Sequence, residues 1–544
     1  METAGTPSSK VTVQCTDPSN LLAIFKSRFD THTPLKNLHW KSPTRPLRSI
    51  PSLEVSLLKN DNLHNGSTPA SRRHQIPGLR DTPYVKLYLL RCDDKDAYRE
   101  SIRKDIKQWI KDNTLEKETK SALRNQEYHD AYEWMIVHVV LPNTPAASQP
   151  KSSKHISFDA SESTDSLNSK SKWTGKSAST LYDKLRADFS SSKSSVSRVS
   201  QVRITEPGRL AGPLSATEIE EQWTDLVSNL KEVILKSFST RVEQYEEDIR
   251  ERESQRSLPG WNFCTFFLLK EGLAREFESV GLHNDALGVY DEMELDLSAL
   301  VKAGSPSNDF ESSAGLLPYS RDLKAKLRQA LDEARSKHPK PNVSETEMTL
   351  AELLTSNPRA QPFDLQRRHY QELILTNQVS VLDLRIYLFT RRMEIFLAQS
   401  RVSMHRQSKS KGHEPPVNLT ILALLTENAL DFITSAARQL RTDLTDAHGD
   451  RLAGQDSVIQ TLLIGNMVMS WTWMASMQIL AIIKPAIEPY VHTLPPDDNS
   501  SIESADSLCH PMAPATLNRQ SMVCPTKHMF LSVKIGLYLL VQFN

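Results

Sequence analysis

WNFCTFFLLKEGLAREFESVGLHNDALGVYDEMELDLSAL, residues 261–300, decides how the chain is read. Apolar residues recur three and four apart on both sides of Gly281, which writes a helix, a turn and a second helix. Leu273, Ala274, Phe277, Ala286 and Tyr290 stand where small residues let two antiparallel helices close and aromatics fill the groove between them. Trp261, Phe266, Phe267 and Tyr290, with Trp473 further on, are the candidates for a helical core or a partner-binding face.

This spacing resembles the tetratricopeptide consensus, with Met293 and Ser298 where a small residue and a proline belong. The stretch is a degenerate helical repeat, and such repeats stack into surfaces that bind other proteins. Further amphipathic helices are expected over 322–337, 347–354, 379–399, 419–442 and 457–483, joined by polar segments, which fits a solenoid better than a bundle, although periodicity alone does not separate the two. Residues 457–483 carry no charge and are long enough to span a bilayer. Gln460, Asn466, Ser470, Thr472 and Gln478 are spread along them, which suits a helix buried among other helices. Upstream, Ser215 leads into a helix whose Ile219, Trp223, Leu226, Leu230, Val233 and Ile234 make an inward face. RVEQYEEDIRERESQR, residues 241–256, reads as its solvated extension.

The N-terminal part has a different rhythm. Residues 11–15 read as a strand, and Asp17-Pro18-Ser19 opens a helix with Leu21, Leu22, Ile24, Phe25 and Phe29. Four prolines between Pro34 and Pro51 leave room only for a brief strand at 53–58. YVKLYLL (84–90) and WMIVHVVL (134–141) are apolar enough to be covered on both faces. Between them Asp93 and Asp94 cap a helix with Tyr98, Ile102, Ile106, Trp109 and Ile110 on one stripe. Strand, helix and strand imply a right-handed crossover, hence an α/β domain over 10–145.

Seventeen of the 50 residues from 151 to 200 are serine, so 146–212 is expected to be a disordered, solvated linker. The chain is thus multidomain: an α/β domain, the linker, an α-helical solenoid over 213–484 and a divergent, disordered tail over 485–544. The tail holds an apolar run at 529–543, interrupted by Lys534.

Chemistry is harder to find. Lys plus Arg and Asp plus Glu balance at 66 each, so no overall field favours nucleic acid or an anionic bilayer. Five cysteines without a CxxC pair suit a reducing cytosol, and the N-terminus lacks a secretory apolar core. Gly175-Lys176-Ser177 ends like a phosphate-binding loop, but Lys170 replaces the glycine that the loop requires. His129, Asp130 and His138 near Cys92 lack ligand spacing, as do Cys509-His510 and Cys524 with His528 in the tail. With no nucleophile elbow either, binding is expected rather than catalysis, without metal or cofactor.

Four segments resemble a known family: 75–110, 133–142, 261–297 and LLTENALDFITSAARQLRTDL at 424–444. It is the subunit-ten family of the transport protein particle, a large subunit specific to TRAPP II. The likeness implies a non-catalytic scaffold in a vesicle-tethering complex that promotes nucleotide exchange on a Rab-family GTPase. Small core subunits and other large TRAPP II subunits would be its partners, in the cytoplasm and peripherally at the Golgi. The likeness fades after about Leu480, where a truncated or mispredicted gene is the expected cause. The rival readings are a generic repeat adaptor outside trafficking and an enzyme with its site at the strand ends near Arg91 and Asp93.

Overall fold

The computed structural model describes residues 10–59, 82–114, 129–142, 144–147, 180–190, 196–204, 215–303, 316–335, 362–365, 369–407, 419–448 and 455–491. The chain divides into two compact units, residues 1–261 with 265–293, and residues 262–264 with 294–544. The first is α/β; the second is mostly helical.

Six strands form the first unit's sheet: β1 (Lys10–Thr16), β2 (Leu35–Trp40), β3 (Arg48–Lys59), β4 (Val85–Leu90), β5 (Glu133–Val140) and β6 (Val199–Arg203). Their order is β2-β3-β1-β4-β5-β6; every pair is parallel except β2 with β3. Helix α1 (Leu22–Phe29) follows β1. After β4, Asp94 accepts from the Asp96 and Ala97 amides at 2.9 and 2.7 Å. A π-turn (Tyr98–Ile102) then leads into α2 (Arg103–Asp112). Helix α3 (Leu181–Phe189) connects β5 to β6, with Thr180 and Asp183 forming a capping box.

The strand pleat explains the continuous apolar runs. Tyr88, Leu90, Ile136 and Val199 pack with Tyr98, Ile106, Leu181, Leu185 and Phe189 under α2 and α3. Their neighbours in sequence point to the other face, where Asn229 of α4 (Ala216–Ser254) reaches Ser200 at 3.0 Å.

Several expectations need correction. Residues 146–212 are not wholly linker, since α3 and β6 lie within them and all five β6 residues are buried. Their apolar spacing (Leu181, Tyr182, Leu185, Phe189) is short and surrounded by serine, so composition hid it. Residues 148–179, with Gly175-Lys176-Ser177, lie outside the described residues. Strand β2 went unread, and β3 runs twelve residues straight through Pro51. The extension of α4 is no solvated arm: Arg241, Val242, Tyr245 and Ile249 are buried, continuing the stripe that Trp223 begins.

The hairpin is as written. Helix α5 (Phe263–Ser279) and α6 (His283–Ala303) meet at Gly281, whose φ of 79° needs no Cβ. The Gly281 and Leu282 amides close the turn on Glu278 and Phe277 carbonyls, each at 2.9 Å. Leu273, Ala274, Phe277, Ala286 and Tyr290 are all buried. Yet α4, α5 from residue 265 and α6 as far as residue 293 belong to the sheet's compact unit, so the division between the units does not fall at 213.

The second unit holds α7 (Arg321–Arg335), α8 (Tyr370–Leu375), α9 (Val381–Gln407), α10 (Leu419–His448) and α11 (Gln455–Val491). Helix α10 packs against α9 and α11, and α7 against α10 and α11. Phe389 of α9 stacks on Phe432 of α10 at 4.2 Å, with Phe363 beside both. The window Thr461–Lys484 in α11 is long and apolar enough to cross a membrane, and 33% of it is buried. The expected buried helix is therefore buried on one face: Ile464, Val468, Ala475, Ile479 and Ile483 face inward. Gln478 accepts from the Phe363 amide at 3.0 Å, which gives that polar residue an internal partner. The helix expected at 347–354 and the tail beyond 491 lie outside the described residues.

Candidate interaction surface

In a parallel sheet whose chain turns back across its first strand, ligands sit at the carboxyl ends beside that strand, on the amides of the following helix. Here the position lies between β1 and β4. Asp17 fills it from within: its carboxylate accepts from the Leu21 and Leu22 amides at 2.9 and 2.8 Å. The amides that would hold a phosphate already hold a carboxylate of the same chain.

Nearby polar groups are engaged in the same local way. Arg91 pairs with Asp93 at 3.2 Å. His138 Nε2 lies 2.9 Å from the Cys92 carbonyl, and burial pushes its pKa down to about 4, so the ring is neutral at pH 7. Burial, reinforced by Asp94, pushes the Cys92 thiol up to about 12. His129 stands apart, 2.8 Å from Asp248 and edge-on to Tyr245. Asp130 accepts from Thr82 at 3.2 Å. Of the four residues singled out in the sequence, His138 and Cys92 thus meet through a main-chain carbonyl, while His129 and Asp130 have other partners. Among the described residues no three His, Cys, Asp or Glu side chains are placed to hold a metal ion.

One edge of the sheet is partly engaged by side chains. On β6 the outward carbonyls of Val199 and Arg203 accept from Tyr182 Oη at 3.4 Å and Trp223 Nε1 at 3.3 Å. On β2, Asn37 adopts a φ of 58° while the pairing with β3 keeps one register on either side of it, from Leu35 opposite Leu53 to Trp40 opposite Arg48.

What joins the hairpin to the sheet is a group of charges that the sequence did not advertise. Arg241 of α4, 2% exposed, donates Nε to the Ala131 carbonyl at 2.7 Å and Nη2 to the Pro83 carbonyl at 3.0 Å. Its Nη1 meets Glu276 of α5 at 3.2 Å, and its guanidinium lies 4.0 Å above the Tyr84 ring. Tyr84 Oη donates to Glu276 at 2.5 Å. From the β2–β3 turn Arg45 bonds Glu246 of α4 at 2.6 Å and covers Phe277, while Arg48, the first residue of β3, grips Asp285 of α6 with Nε and Nη2, each at 2.9 Å. These partners are up to 237 residues apart. The signal available was the unbroken helical stripe through Arg241 and Tyr245.

The family described as trafficking protein particle complex subunit 10-like, N-terminal, matches residues 6–156 and 160–256, which include every strand and α4. Over those residues the chain resembles the N-terminal region of the subunit 10 family. The Dictyostelium discoideum subunit 10 is 25% identical over 423 residues, 74% of this chain and 23% of that protein. The Arabidopsis thaliana complex II-specific subunit 130 homolog is 29% identical over 300 residues, covering 54% and 19%. The mouse subunit 10 is 23% identical over 402 residues, covering 73% and 25%. The chain spans about a quarter of the length of such subunit 10 relatives.

Within this subunit 10-like chain the five aromatic candidates part company. Phe266, Phe267 and Tyr290 are at most 2% exposed, and Tyr290 Oη donates to Glu278 at 2.7 Å. They pack inside the chain. Trp261 is half-buried, its Nε1 bonded to the Arg252 carbonyl at 2.9 Å, and Trp473 is half-buried on α11.

Proposed function

We propose that the chain is a non-catalytic scaffold of TRAPP II, the assembly that tethers vesicles and promotes nucleotide exchange on a Rab-family GTPase in Golgi transport. The family match across the whole sheet and α4 carries this reading, supported by relatives named as subunits of that complex. Its partners are small core subunits and other large TRAPP II-specific subunits, and it meets the GTPase through the complex. It resides in the cytoplasm and peripherally at the Golgi, with no nucleic acid partner. A carboxylate at the sheet's phosphate position favours binding over turnover. We read α9, α10 and α11 as successive solenoid helices serving that binding.

Affinity purification of the tagged chain at native level tests this. Small and large TRAPP subunits are expected in the eluate, and eluates holding instead only chaperones or signalling proteins would move the chain to the generic adaptor class.

A further inference from the structure

Helix α11 carries an apolar flank that is only partly covered. With Ile464, Val468, Ala475, Ile479 and Ile483 buried, an advance of about 100° per residue puts Leu462, Met469, Trp473, Met477 and Leu480 on the opposite side. Leu462 is 62% and Met469 51% exposed. Asn466 interrupts the row and Trp473, Met477 and Leu480 are half-buried, so the open part centres on Leu462 and Met469, as at a surface that a partner covers.

The same chain holds a second apolar stretch in search of cover. Residues 492–528 are polar and contain Pro495, Pro496, Pro511, Pro514 and Pro525, whereas 529–543, MFLSVKIGLYLLVQF, has Lys534 as its single charge. We propose that residues 529–543 of this chain occupy the Leu462–Leu480 face of α11.

Reach, concentration and chemistry all favour the intramolecular occupant. The tether 492–528 extends to roughly 120 Å at about 3.3 Å per residue. The face from Leu462 to Leu480 is about 27 Å long at 1.5 Å per residue, so every point on it lies within reach. Tethering raises the local concentration of 529–543 to roughly the mM range, ahead of a second copy or a free protein at lower concentration. Neither surface bears a carboxylate, and the one amine, Lys534, keeps its head in water by extending its stem along the apolar surface. The inference is independent of the trafficking reading, because it concerns only residues of this chain.

The test uses the full chain with p-benzoylphenylalanine replacing Met469 or, separately, Met477, irradiated at sub-micromolar concentration. Mass spectrometry is expected to find both probes joined to 529–543 within monomeric protein. The double substitution Leu537→Asp with Leu540→Asp is expected to cut that yield about tenfold, as loss of the tethered partner requires. Adducts confined to a covalent dimer would assign the face to a second copy and overturn the proposal. Adducts to lipid when phosphatidylcholine vesicles are added, or none to 529–543 at either position, would overturn it too.

Discussion

The hairpin α5–α6 and helix α11 are written alike, as apolar helices with aromatics at core spacing, yet the chain treats them oppositely. Every large apolar residue facing the hairpin groove is buried, and Arg241, Glu276, Asp285 and Arg48 fasten its flanks to α4 and the sheet. Helix α11 has one face packed and another, with Leu462 and Met469, in solvent. Periodicity thus states which side of a helix is greasy but not what covers it. The cover is fixed by partners far away in sequence.

The sharpest way to break this contrast is to remove the fastening. Arg241→Met leaves Glu276 without its buried cation and is expected to destabilise the sheet unit by about 3–5 kcal/mol, whereas Trp473→Ala on α11 costs much less. Thermal melts of both variants test this, and equal losses would erase the distinction.

Acid titration probes the sheet side next. The pKa of His138 lies at about 4 in the fold against an ordinary 6.5, because burial disfavours the charged ring. Its contribution is fully present above pH 6.5 and is lost as pH falls through about 4, a swing of about 3 kcal/mol. His138→Gln is expected to flatten the stability profile across that window in denaturant titrations.

Close packing gives a smaller effect. A methyl on Gly272 of α5 would stand 2.4 Å from the Tyr245 ring of α4, so Gly272→Ala is expected to cost about 1–3 kcal/mol. The same change at Gly465 of α11, where nothing lies within 4 Å, is expected to be neutral or stabilising in the same melts.

The least effect comes from the helical unit's buried acid. Burial raises the Asp443 pKa from 3.8 to about 6, against the hydrogen bond from Gln439. A raised acid favours folding below pH 3.8, and that advantage is lost as pH rises through about 6. Asp443→Asn, which keeps an acceptor for Gln439, is expected to stabilise the protein by about 1 kcal/mol at pH 7, solvent screening discounted.

How much of this was legible follows the range of the interactions. The β4 and β5 strands, the Asp94 cap, the Ser215 cap and the Gly281 turn are local events written within a few residues, and they could be read. Strand β6 was hidden because VSQVR is short and partly polar, and its burial depends on Trp223 and Tyr182 from elsewhere. Arg241 reads as solvent-facing in the sequence because its partners, Ala131, Pro83 and Glu276, come from three separate segments. The role of Asp17 as the sheet's internal anion was within reach, since the helix entry was recognised; the strand order that gives it meaning was not.

Hydrogen exchange on the full chain tests the central claim, that the hairpin belongs to the sheet rather than standing as a free repeat. Amides of α5 are expected to be as protected as those of β4 and β5, and to lose protection together with them in Arg241→Met. Exchange of α5 that is fast in the unmodified chain, or unchanged by Arg241→Met while the sheet opens, would contradict it.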